Sequence, residues 1–232
     1  GNPENPEIFW QIEKSVDGIV AACNAFDIPV IGGNVSLYNE RSSIGAVYPT
    51  PIIGMVGLID DVQYITTQQV KHAGDAIMLI GKINDALGGS ELQKMLFGNV
   101  SGDCPDIDLH KAAVLNKKML QVIHYGWIKS AHDISEGGLA VCLTEKIIDT
   151  GLGMQITETT DQIIPWLFSE SQHGWIVTSD NPDALISMFG EDATCIGQVT
   201  DKPTIQIFGK EIKAEELASC WKYSIDKIMN HA

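Results

Sequence analysis

The stretch that decides the fold reads Ile28-Pro29-Val30-Ile31-Gly32-Gly33-Asn34-Val35-Ser36-Leu37-Tyr38-Asn39-Glu40. An apolar run leads into a glycine pair, and small polar residues, an aromatic residue and a carboxylate follow. Because glycine has no Cβ, a strand that ends in Gly-Gly lets its backbone approach a ligand closely. The polar residues that follow carry oxygens and donors suited to a metal-bound phosphate or a polar substrate, namely Asn34, Ser36, Asn39 and Glu40. The alternative is a buried strand with a glycine bulge.

Composition limits the classes of protein to which the chain can belong. Its 232 residues suffice for one large domain or two small ones with a sizeable core. It carries 15 Lys and Arg against 30 Asp and Glu, a net charge of −15, and such an acidic surface repels phosphate backbones and anionic membranes. We therefore expect neither nucleic acid nor a membrane as partner, whereas backbone amides and Mg²⁺ can still hold a small phosphate ligand.

The cysteines and the N-terminal residues indicate where the protein works. The five cysteines are scattered and odd in number, and no Cys-x-x-Cys pair occurs. Zinc and a disulfide framework are therefore disfavoured, and reduced thiols favour a cytoplasmic protein. The sequence has no signal-peptide pattern and no run of about 18 apolar residues. It opens on Gly1 without an initiator Met, which we interpret as an artificial start or a cut inside a longer chain.

Hydrophobic periodicity predicts strands and helices that alternate along the chain. Asn5-Pro6 predicts the start of an amphipathic helix that runs to about Phe26. Buried strands are expected in the opening stretch and over residues 51–58. The later predicted strands cover residues 76–80, 128–134, 151–156, 175–178, 193–199 and 204–208. The later predicted helices cover residues 91–97, 109–125 and 139–149, a segment that starts at Asn181-Pro182, and a final segment over 217–228. The predicted class is α+β or α/β.

A second polar stretch reads Ala131-His132-Asp133-Ile134-Ser135-Glu136-Gly137-Gly138-Leu139. Ser135 is predicted to cap the helix that follows, and the two glycines leave the first-turn amides accessible, as in an anion site. Asp133 lies at the preceding strand end, where its carboxylate can hold Mg²⁺ against a phosphate. The alternative is an ordinary strand-to-helix turn with a good cap.

Two further stretches carry polar residues next to predicted elements: Leu87-Gly88-Gly89-Ser90-Glu91-Leu92 and Phe168-Ser169-Glu170-Ser171-Gln172. The first places a glycine pair before a helix, but no Gly-Lys-Ser/Thr follows, so it is not a Walker loop. Its alternative is a flexible helix entry. The second places four consecutive hydrogen-bonding residues before a strand, which suits a sugar or phosphate site or, alternatively, a solvated loop.

Taken in order, these stretches resemble the C-terminal third of the phosphoribosylformylglycinamidine synthase family. The matching strings are Gly33–Glu40, Pro49–Gly57, Gly88–Glu91, His132–Ala140 and Ser169–Gln172, and together they extend over essentially the whole chain. The resemblance implies the aminoimidazole-ribotide-synthetase type of fold, with a mixed sheet and flanking helices. Residues 1–61 would be the end of a second A domain, residues 62–74 a linker, and residues 75–232 a complete C-terminal B domain.

The resemblance also implies an activity, with ATP and Mg²⁺ as cofactors. The family converts formylglycinamide ribonucleotide, ATP and glutamine-derived ammonia into formylglycinamidine ribonucleotide in de novo purine biosynthesis. Its catalytic His and the Lys near ATP belong to a first A domain, so this chain alone is predicted to hold no catalytic residue and to be inactive. The implied partners are the missing N-terminal half, a glutaminase subunit or domain and, in the multi-subunit form, a small adaptor subunit; which form the parent takes stays open.

Site residues follow from the same motifs. By resemblance, Gly33 would touch ATP, Asn34 would ligate Mg²⁺ and Ser36 would contact the small-molecule substrate. The motifs assign an auxiliary nucleotide or phosphate site to Asp133, Gly89, Ser90, Glu170, Ser171 and Gln172. In the family pattern an Arg often follows shortly after Ser-Gln, whereas His173-Gly174-Trp175 stands here.

Two other hypotheses remain beside this one. A stand-alone nucleotide-binding module of the same superfamily would use the fold without catalysis. A kinase or selenophosphate synthetase of the superfamily is disfavoured because their Gly-rich N-terminal segment and catalytic Cys or Lys are missing. An incomplete A domain would expose a sheet edge and an apolar face, so we also expect the isolated chain to self-associate.

Overall fold

The structure is a computed structural model that describes residues 1–37, 40–41, 43, 45–84 and 87–230. Tyr38 and Asn39 of the opening stretch lie outside these residues, and so does the predicted role of Asn39. The chain divides into two compact units, one of Gly1–Ile59 with Asp108–Val114 and one of Asp60–Ile107 with Leu115–Ala232. None of the described helices is both long enough and apolar enough to cross a lipid bilayer.

The first unit contains the predicted N-terminal helix, α1 (Pro6–Phe26). The Asn5 side chain caps it by accepting a hydrogen bond from the Glu7 amide, and Pro6 takes the first turn, where no backbone donor is needed. Helix α1 ends at Phe26 and is followed by the C-cap residue Asp27, whose backbone is left-handed. Two short strands, β1 (Glu40–Arg41) and β2 (Gly45–Ala46), then pair antiparallel.

The two buried strands predicted for this unit are wrong. Among the described residues, segments 28–37 and 47–59 contain no strand, and their apolar side chains are exposed: Ile31 is 94% and Val56 98% accessible. A strand forms only where a neighbour takes its backbone hydrogen bonds, and within the described residues no ladder partner lies beside these segments. The apolar pattern is present, but its packing partner is not.

The second unit is built on a seven-stranded mixed sheet with flanking helices, which confirms the predicted fold class. Its strands are β3 (Ala76–Ile80), β4 (Ser130–Asp133), β5 (Gly153–Ile156), β6 (Trp175–Ser179), β7 (Ala193–Thr200), β8 (Thr204–Ile207) and β9 (Lys210–Lys213). They lie in the order β4-β6-β3-β7-β5-β8-β9, and every neighbouring pair is antiparallel except β5 and β8.

Helices cover both faces of this sheet. Helix α4 (Gly138–Ile147) lies on one face, and α3 (Leu109–His124) and α6 (Pro182–Phe189) lie on the other. The remaining helices after α1 are α2 (Glu91–Phe97), α5 (Ile163–Phe168) and α7 (Ala214–Asn230). Successive side chains of a strand point to opposite faces, and β3 shows this directly. Ile77 and Leu79 pack in a core with α4, whereas Met78 and Ile80 pack in a second core with α3 and α6.

The predicted linker packs on the second unit. A short 3-10 turn (Val62–Tyr64) begins the segment, and Val70 is buried in the core beside α4. The Val70 amide donates to the Lys146 carbonyl at 3.0 Å, and the Ala131 amide of β4 donates to the Thr67 carbonyl at 3.1 Å. The segment is therefore fastened to the edge of the sheet, while the domain boundaries themselves remain a prediction.

Candidate functional site

The glycine pair of the opening stretch lies open to solvent. A Cβ built on Gly33 would meet no atom within 4 Å, so the backbone there is accessible to a ligand. One residue further on, Asn34 donates from Nδ2 to the Ser36 Oγ at 3.4 Å. Both residues line a cavity of about 510 Å³ together with one side of α1 and residues 47–53. The structure thus brings Asn34 and Ser36 together, with Gly33 next to them in the chain.

The turn between β4 and α4 differs from its prediction in one respect. The Ser135 side chain does not cap the helix. The N-cap residue is instead Gly137, whose φ is 80°, and no side-chain hydrogen bond caps the helix at this position. The Gly138 amide donates to the Ser135 carbonyl at 3.0 Å. The glycines permit the left-handed backbone that redirects the chain, and this backbone places Ser135 too early to act as the cap.

Glycine at position 138 is also required by close packing. A Cβ there would lie 2.8 Å from the carbonyl oxygens of Leu167 and Ser169, so no larger side chain fits without moving backbone. The β4–α4 turn is therefore pressed against the loop that carries Ser169-Glu170-Ser171-Gln172. This contact explains how two motifs that are distant in sequence come together.

The Glu170 carboxylate joins three of the predicted site stretches. Its Oε1 accepts from the Gly137 amide at 2.9 Å and from the Glu91 amide at 2.9 Å. Ser171 is 2% exposed, and its hydroxyl both accepts from the Asn84 amide at 2.7 Å and donates to the Asn84 carbonyl at 3.3 Å. Glu170 and Ser171 therefore bind backbone of their own chain, a use that the sequence does not reveal.

The Gly88-Gly89-Ser90 stretch forms a tight, self-bonded entry to α2. Ser90 caps α2 by accepting from the Gln93 amide, and its hydroxyl donates to the Leu87 carbonyl at 2.7 Å. The Gly89 amide donates to the Ser101 carbonyl at 2.9 Å. A Cβ on Gly88 would lie 2.2 Å from the Asp103 carbonyl oxygen, so this glycine is needed for packing. The predicted ligand roles of Gly89 and Ser90 remain predictions.

Asp133 lies beside a histidine held between two carboxylates. The His132 ring is 3.2 Å from Asp133 Oδ1 through Nδ1 and 2.7 Å from Glu145 Oε2 through Nε2. Asp133 also lines a pocket of about 330 Å³ with Glu136, Glu170 and Gln172. Gly89, Ser90 and Ser171 are not among its lining residues. Within the described part of the chain, no group of three or more His, Cys, Asp or Glu is placed to hold a metal ion.

Lys146 is a buried titratable group that was not predicted. It is 0% exposed, and its Nζ donates to the Gln68 carbonyl at 2.8 Å and to the Ser130 Oγ at 2.9 Å. Burial lowers the pKa of Lys146 to about 8 and raises the pKa of the Cys142 thiol to about 12. Periodicity could have found it, since position 146 falls on the apolar face of α4 with Leu139, Cys142 and Leu143.

Comparison with solved structures shows where this fold occurs. Thermotoga maritima PurL in complex with FGAR matches with a TM-score of 0.56 and 16% identity, over 68% of this chain and 30% of that one. PurLQS from Thermotoga maritima matches with a TM-score of 0.53 and 17% identity, over 68% of this chain and 28% of that one. T. maritima PurL in complex with ATP matches with a TM-score of 0.52 and 16% identity, over the same shares of the two chains. An identity of 16–17% establishes a shared fold and no more. The chain spans less than a third of the length of these proteins.

Comparison with models of protein families assigns the chain to a family. The model described as AIR synthase related protein, N-terminal domain, matches residues 1–59. The model described as AIR synthase related protein, C-terminal domain, matches residues 72–210, which is more than half of the chain. The chain therefore belongs to the family of AIR synthase related proteins.

Proposed function

We propose that this chain is part of an ATP-dependent ligase that makes formylglycinamidine ribonucleotide from formylglycinamide ribonucleotide, ATP and glutamine-derived ammonia. The observation that carries the proposal is the fold shared with T. maritima PurL, a protein solved both with FGAR and with ATP. The order of the two family matches along the chain supports it, since an N-terminal domain segment precedes a C-terminal domain. The specific motif string from Gly33 to Glu40 points the same way.

We assign the ligand contacts of this ligase to the opening stretch. Gly33 would meet ATP, because its exposed backbone has no Cβ to keep a ligand away. Asn34 would ligate Mg²⁺: its amide nitrogen bonds Ser36, which leaves the carbonyl oxygen as a hard donor. Mg²⁺ usually takes only one or two protein oxygens besides water and phosphate, so the single Asn34 oxygen suffices as a protein ligand. When bound, Mg²⁺ would neutralise phosphate charge; Ser36 would hydrogen-bond the substrate.

The exposed apolar segments support a proposal about partners. Segments 28–37 and 47–59 have strand-like sequences with exposed side chains, as Ile31, Ile52 and Val56 show. We propose that strands from the rest of the synthase cover them, and that the isolated chain self-associates through them instead. A glutaminase subunit or domain would supply ammonia, with a small adaptor subunit in the multi-subunit form, and the assembly would work in the cytoplasm.

Complementation in trans tests this function. The pure chain is mixed with a synthase from which the corresponding C-terminal region has been removed, and product formation from ATP, ammonium chloride and formylglycinamide ribonucleotide is measured. We expect no turnover from either part and turnover from the mixture. Turnover by the pure chain would contradict its predicted inactivity, and an inactive mixture in which the two parts co-purify would contradict the ligase assignment.

Two variants and one control sharpen the assay. Asn34→Ala should abolish turnover of the mixture. Ser36→Ala removes one substrate hydrogen bond worth about 1 kcal/mol, so KM should rise about fivefold. Ser15→Ala is the matched control, because Ser15 lines the same cavity but donates to the Gln11 carbonyl of its own helix. An unchanged KM for Ser36→Ala, or an equal rise for Ser15→Ala, would refute the assignment of Ser36.

The alternative is a stand-alone nucleotide-binding module without catalysis. The open backbone at Gly33 is compatible with it, since that position needs no second half to be accessible. Isothermal titration with a non-hydrolysable ATP analogue separates the two functions. Affinity of the pure chain that survives removal of Mg²⁺ would favour the module, whereas affinity that needs both Mg²⁺ and the complementing part favours the ligase.

A further inference from the structure

Two backbone amides from separate parts of the second unit converge on one carboxylate oxygen. The Gly137 amide comes from the β4–α4 turn and the Glu91 amide from the start of α2, and both lie 2.9 Å from Glu170 Oε1. Gly137 and Glu91 are 33 and 79 positions from Glu170 in the sequence, so the arrangement is tertiary. Converging N–H donors are the usual surroundings of a bound anion, and here the anion is a side chain of the same protein.

The loop that carries Glu170 is held on both sides. Ser169 is fully buried and its amide donates to the Pro165 carbonyl at 2.9 Å. Ser171 exchanges two hydrogen bonds with the backbone of Asn84, and Gln172 donates from Nε2 to the Glu170 carbonyl at 3.2 Å. Because its neighbours are anchored, the Glu170 backbone cannot move away without breaking several bonds. The carboxylate is therefore a fixed part of the turn.

The adjoining pocket is unfavourable for a second anion. Its lining includes the carboxylates of Asp133, Glu136 and Glu170, and among the residues described around it there is no lysine or arginine. A phosphate group entering this pocket would meet like charges at short range, and the chain as a whole carries a net charge of −15. Both the occupied amides and the field of the pocket therefore oppose an external phosphate.

We propose that Glu170 is a built-in anion that replaces a ligand phosphate on these amides. In this role it is a positioning residue: it holds the entry of α2 against the β4–α4 turn, and it keeps nucleotide phosphates out of the turn. The proposal does not depend on which reaction the chain serves. Glu170 then binds no ligand phosphate, in contrast to the auxiliary phosphate site predicted from its motif. Any phosphate that this chain binds would lie elsewhere.

Anion rescue of a variant that lacks the carboxylate tests the proposal. Glu170→Ala leaves both amides without their acceptor and should lower Tm by about 5 °C. The variant frees both amides and removes one of the three carboxylates, so inorganic phosphate should then occupy the emptied position. Because Asp133 and Glu136 still repel it, phosphate should restore only about half of that loss, relative to chloride at equal ionic strength. The wild-type Tm should rise by less than about 1 °C beyond the general stabilisation that phosphate gives any folded protein. A purely structural role would not produce rescue by phosphate.

Two control variants separate the amide contacts from charge. Glu136→Ala removes another carboxylate from the same pocket without freeing the two amides, so phosphate should affect it no more than the wild type. Glu170→Gln keeps an Oε1 acceptor and should likewise be insensitive to phosphate. Equal stabilisation of the wild type and Glu170→Ala, or no phosphate effect on Glu170→Ala, would overturn the proposal.

A measurement on the wild type covers the case in which Glu170→Ala does not fold. In a two-dimensional ¹H–¹⁵N NMR titration with inorganic phosphate, the amide resonances of Gly137 and Glu91 should stay in place. Their hydrogen exchange should also remain slow at every phosphate concentration. Saturable shifts of both resonances would show that phosphate displaces Glu170, and would refute the built-in anion.

Discussion

Raising the pH from about 8 towards 10.5 should stabilise the fold through one buried side chain, Lys146. Burial holds its pKa at about 8 in the folded chain, whereas the unfolded chain has the ordinary value of 10.5. Between these values the unfolded state binds more protons, so the free energy of unfolding rises with pH. Below pH 8 the lysine is charged in both states, and the folded state bears the full cost of burying that charge. Over the whole window the gain amounts to about 3 kcal/mol.

A second buried group, Cys142, limits the pH range in which the stabilising effect of Lys146 is seen by itself. Burial raises the pKa of its thiol from 9.0 to about 12, so above pH 9 the unfolded chain loses a proton that the folded chain keeps. That difference lowers the free energy of unfolding as the pH rises. We therefore expect a clear increase between pH 8 and 9, opposing effects up to about 10.5, and a decrease beyond.

Urea unfolding followed by tryptophan fluorescence at pH 7, 8, 9 and 10 measures the effect. In Lys146→Met the rise from pH 8 to 9 should disappear, because the variant lacks the lysine whose pKa burial lowers to about 8. In Cys142→Ala the rise should continue towards pH 10. Lys94→Met is the control, since Lys94 is a half-exposed lysine of α2 and its removal should leave the pH dependence intact. The same slope in the wild type and in Lys146→Met would refute the reasoning.

Three further predictions concern packing, capping and association. Gly153→Ala places a Cβ 2.0 Å from the Lys202 carbonyl oxygen and should lower the free energy of unfolding by about 2 kcal/mol or more in urea titrations, whereas Gly57→Ala, in open space, should be near neutral. Asn5→Ala removes the cap of α1 and should cost about 1 kcal/mol, seen as helical signal lost at lower urea; an unchanged midpoint would contradict the cap. Val56→Lys should shift the isolated chain towards monomer in light scattering, and equal association of both forms would exclude this face.

Local signals in the sequence predicted several helix starts correctly. Asn181-Pro182 starts α6 as expected, with the Asn181 side chain accepting from the Ala184 amide, and Asp108 accepts from the Lys111 amide at the start of α3. Such caps are visible in sequence because they act within four residues. By contrast, α5 was missed because it is short and contains Pro165, and β9 because its edge position leaves it polar, as Lys210–Lys213 shows.

The errors came from interactions that link distant parts of the chain. The apolar run around Ile31 predicted a buried strand, but whether a strand is buried depends on partners that its own sequence does not specify. Ser135 looked like a helix cap, yet the left-handed Gly137 shifts the start of α4 past it. The amide that was expected to face an anion does face one, but that anion belongs to Glu170, and 33 residues of sequence separate the two. The assigned ligand roles of Gly33, Asn34 and Ser36 remain predictions.

The sheet order has a consequence for how the protein is made. Strand β3 lies between β6 and β7, so Ala76 must wait for Ser179 and Gln198, which leave the ribosome about a hundred residues later. Until then the apolar sequence of β3, Ala76–Ile80, has neither of its sheet neighbours. During synthesis the second unit is therefore exposed to aggregation until β7 has emerged. Premature termination before β7 should leave a product that is degraded rather than a smaller folded domain.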